Sequence, residues 1–229
     1  MKKKKIFKFV IIFAFFLSAV NVKADTGAFL GIEWKDTDYR YHWIEMSQDI
    51  LIDNINGNMV FKSSETAANG LNYLLHYNIF MIHTHSDQTT LDFNSMYTYN
   101  GQKYENPTYI DIYDIDSQPA NSFSQLNLTF LGTCSAGEGR ASANNLVNSI
   151  ANKGAKVVIG FENITYVNQI NQYMYDFSKS LFQNKNTYSK AMSDGLFYAK
   201  FWNYGNAGGT DAPYTRGNLN SKYPFTQYK

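Results

Sequence analysis

Short, almost purely apolar runs recur along the chain at 79–82, 128–131 and 157–161, and another, at 28–34, opens apolar and ends polar. They are too short for helices and lack strict polar alternation, so they read as strands buried on both faces of a sheet. Between and after them lie segments with apolar residues three to four apart, at 41–55, 63–76, 141–153, 168–183 and 187–201. Buried strands alternating with amphipathic helices predict an α/β domain: a three-layer sandwich with a mostly parallel central sheet flanked by helices. A turn signal at 54–58 leads into a short strand at 59–61. The polar, Tyr-rich stretch 87–124 contains a strand-like 109–113, and the tail from 205 reads as irregular. No internal repeat or linker divides residues 25–229, which are expected to form one domain.

The formal charge of +1 conceals an asymmetry. The first 24 residues hold six of the 20 basic residues and none of the 19 acids, so the remainder carries 14 basic against 19 acidic side chains, a net of −5. Nucleic-acid binding through phosphate neutralisation loses its support on such a surface. Residues 1–24 read as a secretory signal peptide: Lys2 to Lys5 form a positive start, 9–17 an unbroken apolar run, and Val22 and Ala24 the small residues before a cleavage site. The apolar run is short of the roughly 20 residues a membrane span needs, and no Cys follows it for lipidation. The expected product is secreted and extracellular, with no stable membrane insertion after cleavage. Its oligomeric state is not legible.

Export gives weight to the cysteine count, because Cys134 is the only one and can form no intramolecular disulfide. Such a thiol is either buried and inert or kept for chemistry. Its position favours chemistry. In parallel α/β sheets, functional residues sit on loops at the carboxyl ends of strands. The run 79–82 delivers His83, Thr84, His85, Ser86 and Asp87, while 128–131 delivers Gly132, Thr133 and Cys134, followed by Ser135, Ala136 and Gly137. If both strands run parallel, a histidine and the cysteine emerge on one rim, where an imidazole takes the thiol proton or protonates a leaving amine. The small residues around Cys134 admit a substrate backbone and leave N–H groups free for an oxyanion. His83 and His85 point to opposite sides of an extended segment. One of them faces the sulfur, expected to be His85, and His83 supports.

These two blocks resemble the caspase-like (clan CD) cysteine peptidases, most closely their bacterial caspase-like and CHAT-domain branches. Residues 79–86 match the strand ending in a His, and 128–139 the later strand ending in the nucleophilic Cys. The 49-residue gap from His85 to Cys134 suits a family whose caspases place the His about 50 residues upstream. Residues 145–160 resemble the helix and strand that follow the cysteine, and 173–192 the next helix pair. The likeness spans about 28–200, and the order of its short motifs is stronger evidence than any one of them. It implies a bacterial, secreted endopeptidase acting on peptide or protein substrates, with a Cys134–His85 dyad, no cofactor and no metal. Gly132 lies on the nucleophile loop. The N–H groups of Cys134 and Ser86 are the implied oxyanion donors, although Ser86 stands where the family usually has Gly. Clan members are strict about the residue before the scissile bond (P1), and Asp87 and Glu162 are candidate contacts for a basic side chain there.

Two other classes compete. His83 and His85 with Asp87 look like the start of a metal site for a metal-dependent hydrolase. However, Gln88 stands where metallo-β-lactamase-type sites place another His, and no histidine follows His85. The spacing of Ser95 and Thr98 also departs from the JAMM-type pattern. Too few ligands remain for a three-ligand zinc site. The other class is a secreted binding module that kept the fold and lost the chemistry, using the Tyr- and Asn-rich segments 97–113 and 204–228 for recognition.

Overall fold

A computed structural model describes residues 25–31, 41–99 and 102–225, with the side chains of 41, 95–99 and 103–105 excepted. The leader 1–24 lies outside the described residues, as does the end of the expected 28–34 strand. Among the described residues, eight strands and six α-helices follow in the order β1 (Asp25–Gly31), α1 (Tyr41–Asn54), β2 (Gly57–Lys62), α2 (Ala67–His76), β3 (Ile79–His83), β4 (Thr90–Tyr99), β5 (Gln102–Asp111), α3 (Ile112–Asp116), β6 (Leu128–Gly132), α4 (Leu146–Asn152), β7 (Val157–Phe161), α5 (Val167–Ser178), α6 (Tyr188–Trp202) and β8 (Pro213–Gly217). Six strands form one sheet in the order β2-β1-β3-β6-β7-β8. All neighbours are parallel except β7 and β8.

The alternation of side chains along each strand divides the core in two. From β3, Phe80 and Ile82 join one cluster with Ala28, Leu30, Leu131 and Val158, covered by α2, α3 and α4. Ile79 and Met81 join the opposite cluster with Phe29, Phe130, Ile159 and Phe161, covered by α1, α5 and α6. Every residue of β3, β6 and β7 is buried, which is why these strands show no polar alternation. The chain steps from β1 to β2 with α1 on one face, then back past β1 to β3 with α2 on the other. Direction and face reverse together, as a constant crossover hand requires. The result is the three-layer α/β sandwich with a mostly parallel sheet that the apolar pattern predicts.

Local rules move several expected boundaries. The helix expected at 63–76 starts at Ala67, because Thr66 is its N-cap and its side chain accepts the Asn69 N–H at 3.3 Å. The helix expected at 141–153 shortens to α4, with a 3-10 turn at Arg140–Ser142 before it. Asn145 holds that entry: its Oδ1 accepts the Asn148 N–H at 2.9 Å while its Nδ2 donates to the Glu138 and Arg140 carbonyls. The strand expected at 109–113 ends at Asp111, which caps α3 in a reciprocal capping box with Asp114.

The larger correction is in the Tyr-rich stretch, which forms a two-stranded antiparallel hairpin, β4–β5, running from Thr90–Asp111 to Tyr99–Gln102. Leu91, Phe93 and Ile110 anchor its base in the core under α2. A methyl group at Gly70 would come within 2.3 Å of the Phe93 ring, so α2 approaches the hairpin only because that residue is glycine. The tail is not irregular throughout either, since β8 pairs antiparallel with β7 at the sheet edge.

Candidate active site

The parallel register of β3 and β6 assembles the rim. His83 is paired with Gly132, so Thr84 and Thr133 follow side by side and His85 and Cys134 come next on adjacent strand ends. Parallel neighbours lie about 4.8 Å apart, which brings the two loops within side-chain reach. The Ser86 hydroxyl donates to the Cys134 carbonyl and ties them together. The histidine loop is in turn fixed to the hairpin: Thr84 Oγ1 donates to the Asp92 carbonyl at 2.9 Å, and the Asp92 N–H to the His85 carbonyl at 3.1 Å.

The cysteine sits on a sharp bend. Ser135 adopts a left-handed conformation with φ 51°, a costly geometry for a residue other than glycine and one that gathers at functional sites. The bend is held from β7, with the Ser135 N–H donating to Asn163 O at 3.1 Å and the Gly137 N–H to Phe161 O at 2.9 Å. Cys134 is partly exposed. Its thiol donates to the Thr165 carbonyl at 3.8 Å and lies 3.9 Å from Thr165 Oγ1. Thr165 was not evident from the sequence, and its position just past the β7 strand end was the one available signal. It also borders a hollow of 420 Å³ lined by Tyr166, Val167, Asn168 and Gln169, which adjoins the thiol and bears no charged side chain.

The two histidines part company. His85 is exposed on the rim, whereas His83 is 4% exposed inside the sheet. Burial pushes the His83 imidazole down to about 3, with a hydrogen bond to Asn171 opposing and the neighbouring His85 assisting the shift. It is therefore neutral in ordinary buffers. Gly132 serves packing: a methyl group there would meet Met174 Sδ at 2.6 Å, so the glycine lets α5 close over the strand end. In the hydrogen bonds among the described residues, the N–H groups of Ser86 and Cys134 donate to no backbone carbonyl.

The two acids are already engaged. Asp87 closes its own turn, its Oδ1 accepting the Thr89 and Thr90 N–H groups at 2.7 Å each. Glu162 Oε1 takes the Arg140 guanidinium through Nη2 at 2.6 Å and Nε at 2.7 Å. Among the described residues no group of three or more His, Cys, Asp or Glu side chains is placed to hold a metal ion. No helix among them is long and apolar enough to cross a membrane.

The fold is caspase-like. Gingipain R (RgpB), an Arg-specific cysteine proteinase, superposes with a TM-score of 0.66 at 10% identity, over 87% of this chain and 48% of that one. The complex of the Porphyromonas gingivalis RgpB pro- and mature domains gives 0.63 at 8% identity, over 86% of this chain and 48% of the other. The Saccharomyces cerevisiae separase in its complex with securin gives 0.57 at 16% identity, over 86% of this chain and 12% of separase. The chain thus spans about half of the gingipain chains and a small part of separase. No protein-family model and no curated protein matches it in sequence.

Proposed function

We propose that the chain is a secreted cysteine endopeptidase with a Cys134–His85 dyad and a restricted P1 residue. The observation that carries the reading is the His83–Gly132 register, which sets both residues two positions beyond one paired level. The peptidase fold and the partly exposed thiol support it. In this mechanism His85 takes the Cys134 proton and the thiolate attacks the scissile carbonyl carbon. The N–H groups of Cys134 and Ser86 hold the oxyanion. As the tetrahedral intermediate collapses, the C–N bond breaks and His85 returns the proton to the departing amine, leaving a thioester on Cys134. Water, deprotonated by His85, then releases the acid product and the thiol. Residues 1–24 would direct export.

The specificity of gingipain R makes a basic P1 the first candidate to test. In this chain Glu162 would receive such a side chain by exchanging it for Arg140, which it already binds as a guanidinium. The uncharged hollow beside Thr165 would carry neighbouring substrate residues. The test is incubation with a diverse peptide pool under reducing conditions with a chelator present, read by mass spectrometry beside Cys134→Ala and His85→Ala. Cleavage confined to the unsubstituted protein establishes the dyad and gives P1 in the same run. No cleavage together with a Cys134 that refuses an alkylating reagent would replace the peptidase by a binding module on the same fold. In a parallel incubation without chelator, cleavage that adding the chelator abolishes, but alkylation does not, would revive the metal-dependent hydrolase.

A further inference from the structure

A second concave site lies away from the rim. It is a cleft of 580 Å³ between α1, α5 and α6, and it shares no residue with the loops that carry His85 and Cys134. That volume is in the ordinary range for a small-molecule site. Helical spacing builds it. Lys190, Asp194, Tyr198 and Trp202 are four apart and form one stripe of α6, while Gln172, Tyr175 and Asp176 form one stripe toward the end of α5, which Lys179 continues. Beside the cleft α5 passes into a π-helical turn, Lys179–Gln183, which gives Lys179 and Ser180 to the lining. Such turns are rare and concentrate at functional sites.

The lining has three features that restrict the ligand. Its aromatic residues are Trp43 and Tyr175, in contact at 5.1 Å between ring centroids, and the α6 residues Tyr198 and Trp202. Trp202 is 59% exposed, and it is in ring contact with Phe201, which stacks on Phe197 at 15°. Its charges cancel: Lys190 pairs with Asp194, and Lys179 acts on Asp176. Besides the phenols of Tyr175 and Tyr198, the remaining polar groups are amides and a hydroxyl, from Gln172, Asn184, Asn186 and Ser180. Several are already oriented, with Ser180 Oγ donating to Asp194 Oδ2 at 2.7 Å and accepting from Asn186 Nδ2 at 3.1 Å.

We infer that this cleft binds a neutral oligosaccharide. A charged ligand would find no uncompensated countercharge there, and a purely apolar one would strip water from four charged and four polar side chains. A sugar ring needs what the cleft has: an aromatic face open to its C–H face, here that of the exposed Trp202, and, in the same lining, groups that both donate and accept for its hydroxyls. A peptide strand would need a sheet edge or deep apolar pockets, whereas these walls are helical. The site is independent of the peptidase reading.

Two of the three tryptophans, Trp43 and Trp202, line the cleft, so intrinsic fluorescence reports on it directly. The full chain is titrated with cellotetraose, chitotetraose, xylotetraose and maltotetraose, with spermine and tetragalacturonate as cationic and anionic probes. At least one neutral tetrasaccharide is expected to give a saturable change in tryptophan emission. Trp202→Ala, at an exposed position where folding is not at stake, should weaken it by roughly tenfold or more, and Trp202→Phe should restore most of the affinity. Binding should persist in Cys134→Ala. Failure of all four neutral sugars up to about 10 mM, a concentration that would reveal even millimolar binding, overturns the inference. So does equal binding by Trp202→Ala, or saturable binding of spermine or tetragalacturonate alone.

Discussion

The rim and the cleft are both concave and polar, yet they are built in opposite ways. The rim is a product of backbone: a strand register, a left-handed Ser135 and main-chain hydrogen bonds from β7 set Cys134 beside the histidine loop. The cleft is a product of side chains, projected from three helices whose own backbones are regular apart from one π turn. The contrast extends to charge. The rim keeps its buried titratable group, His83, neutral, whereas the cleft keeps Asp176 and Asp194 facing two lysines. On the proposed mechanism, function at the rim would depend on a few irreplaceable atoms. The inferred sugar site would instead draw on side chains from three helices, with Trp202 as its main aromatic contact.

The largest effect expected from that contrast is at the thiol. Cys134→Ala should abolish peptide cleavage to the background, and His85→Ala should lower kcat/KM by about 10²–10⁴-fold, while both leave sugar binding at the cleft within experimental error. If Cys134→Ala abolished sugar binding too, the two sites would not be separate.

Next in size is His83, which the sequence left as a supporting residue. His83→Ala leaves a cavity inside β3 and strips the buried Asn171 of a partner, and should cost about 3 kcal/mol in urea denaturation. A variant as stable as the parent would show that His83 is not a packing residue. His83→Gln separates packing from titration. The folded chain keeps His83 unprotonated down to about 3, while the unfolded chain takes up that proton near its ordinary value of about 6.5. Stability due to this group is present above about pH 6.5 and is lost as pH falls toward 3. The Gln variant, which has no such proton to bind, should lose less stability over that interval.

A smaller effect is expected at Arg140. If Glu162 is where a basic P1 side chain docks, Arg140→Ala removes the competing guanidinium and should raise kcat/KM for Arg- or Lys-containing substrates severalfold, the modest effect expected of an exposed ion pair. Substrates with a neutral P1 should be unaffected. A uniform change would assign the pair to loop structure instead.

The sequence made the rim legible and left the cleft hidden for the same reason. A buried parallel strand is a continuous apolar run, so its end is marked, and the residues just after it are the ones a parallel sheet brings to a common edge. That logic reaches His85, Ser86, Gly132 and Cys134 with no side-chain detail. Thr165 follows a third marked strand end but has no distinctive chemistry. The hairpin was missed because its anchoring residues, Leu91, Phe93 and Ile110, are scattered among polar ones. Yet Tyr99 pairs with Gln102, and the two residues between them are Asn100 and Gly101, a strong hairpin signal. β8 was missed because an edge strand is only half-buried. The cleft gave no local signal at all. Polar and aromatic residues at helical spacing also describe a solvated face, and only the packing of α1 against helices more than 100 residues later turns those faces toward one another.

The last prediction concerns the group that most distinguishes the cleft. Asp176 is 7% exposed, and burial pushes its carboxyl up to about 6, against the opposing effects of Gln172 and Lys179. The unfolded chain releases this proton near 4, so between about pH 4 and 6 the folded state holds a proton that the unfolded state has lost. Stability from this group is full below 4, falls as pH rises to about 6 and stays reduced above it. That sign is opposite to the His83 contribution over the same interval, so the parent protein should show a flatter profile there than either single variant. Asp176→Asn removes the cost of the buried charge while keeping an oxygen that accepts from Gln172 Nε2, now 2.5 Å from the carboxylate. At pH 7 the variant should gain roughly 1–2 kcal/mol after allowance for solvent screening, or about 3–6 °C in Tm, and at pH 4 the two proteins should melt together. A binding site that retains a charge at a cost in stability behaves in this way. Should Asp176→Asn melt lower at pH 7, the charge is stabilised by Lys179, and the cleft is a structural ion-pair network and not a site held open for a ligand.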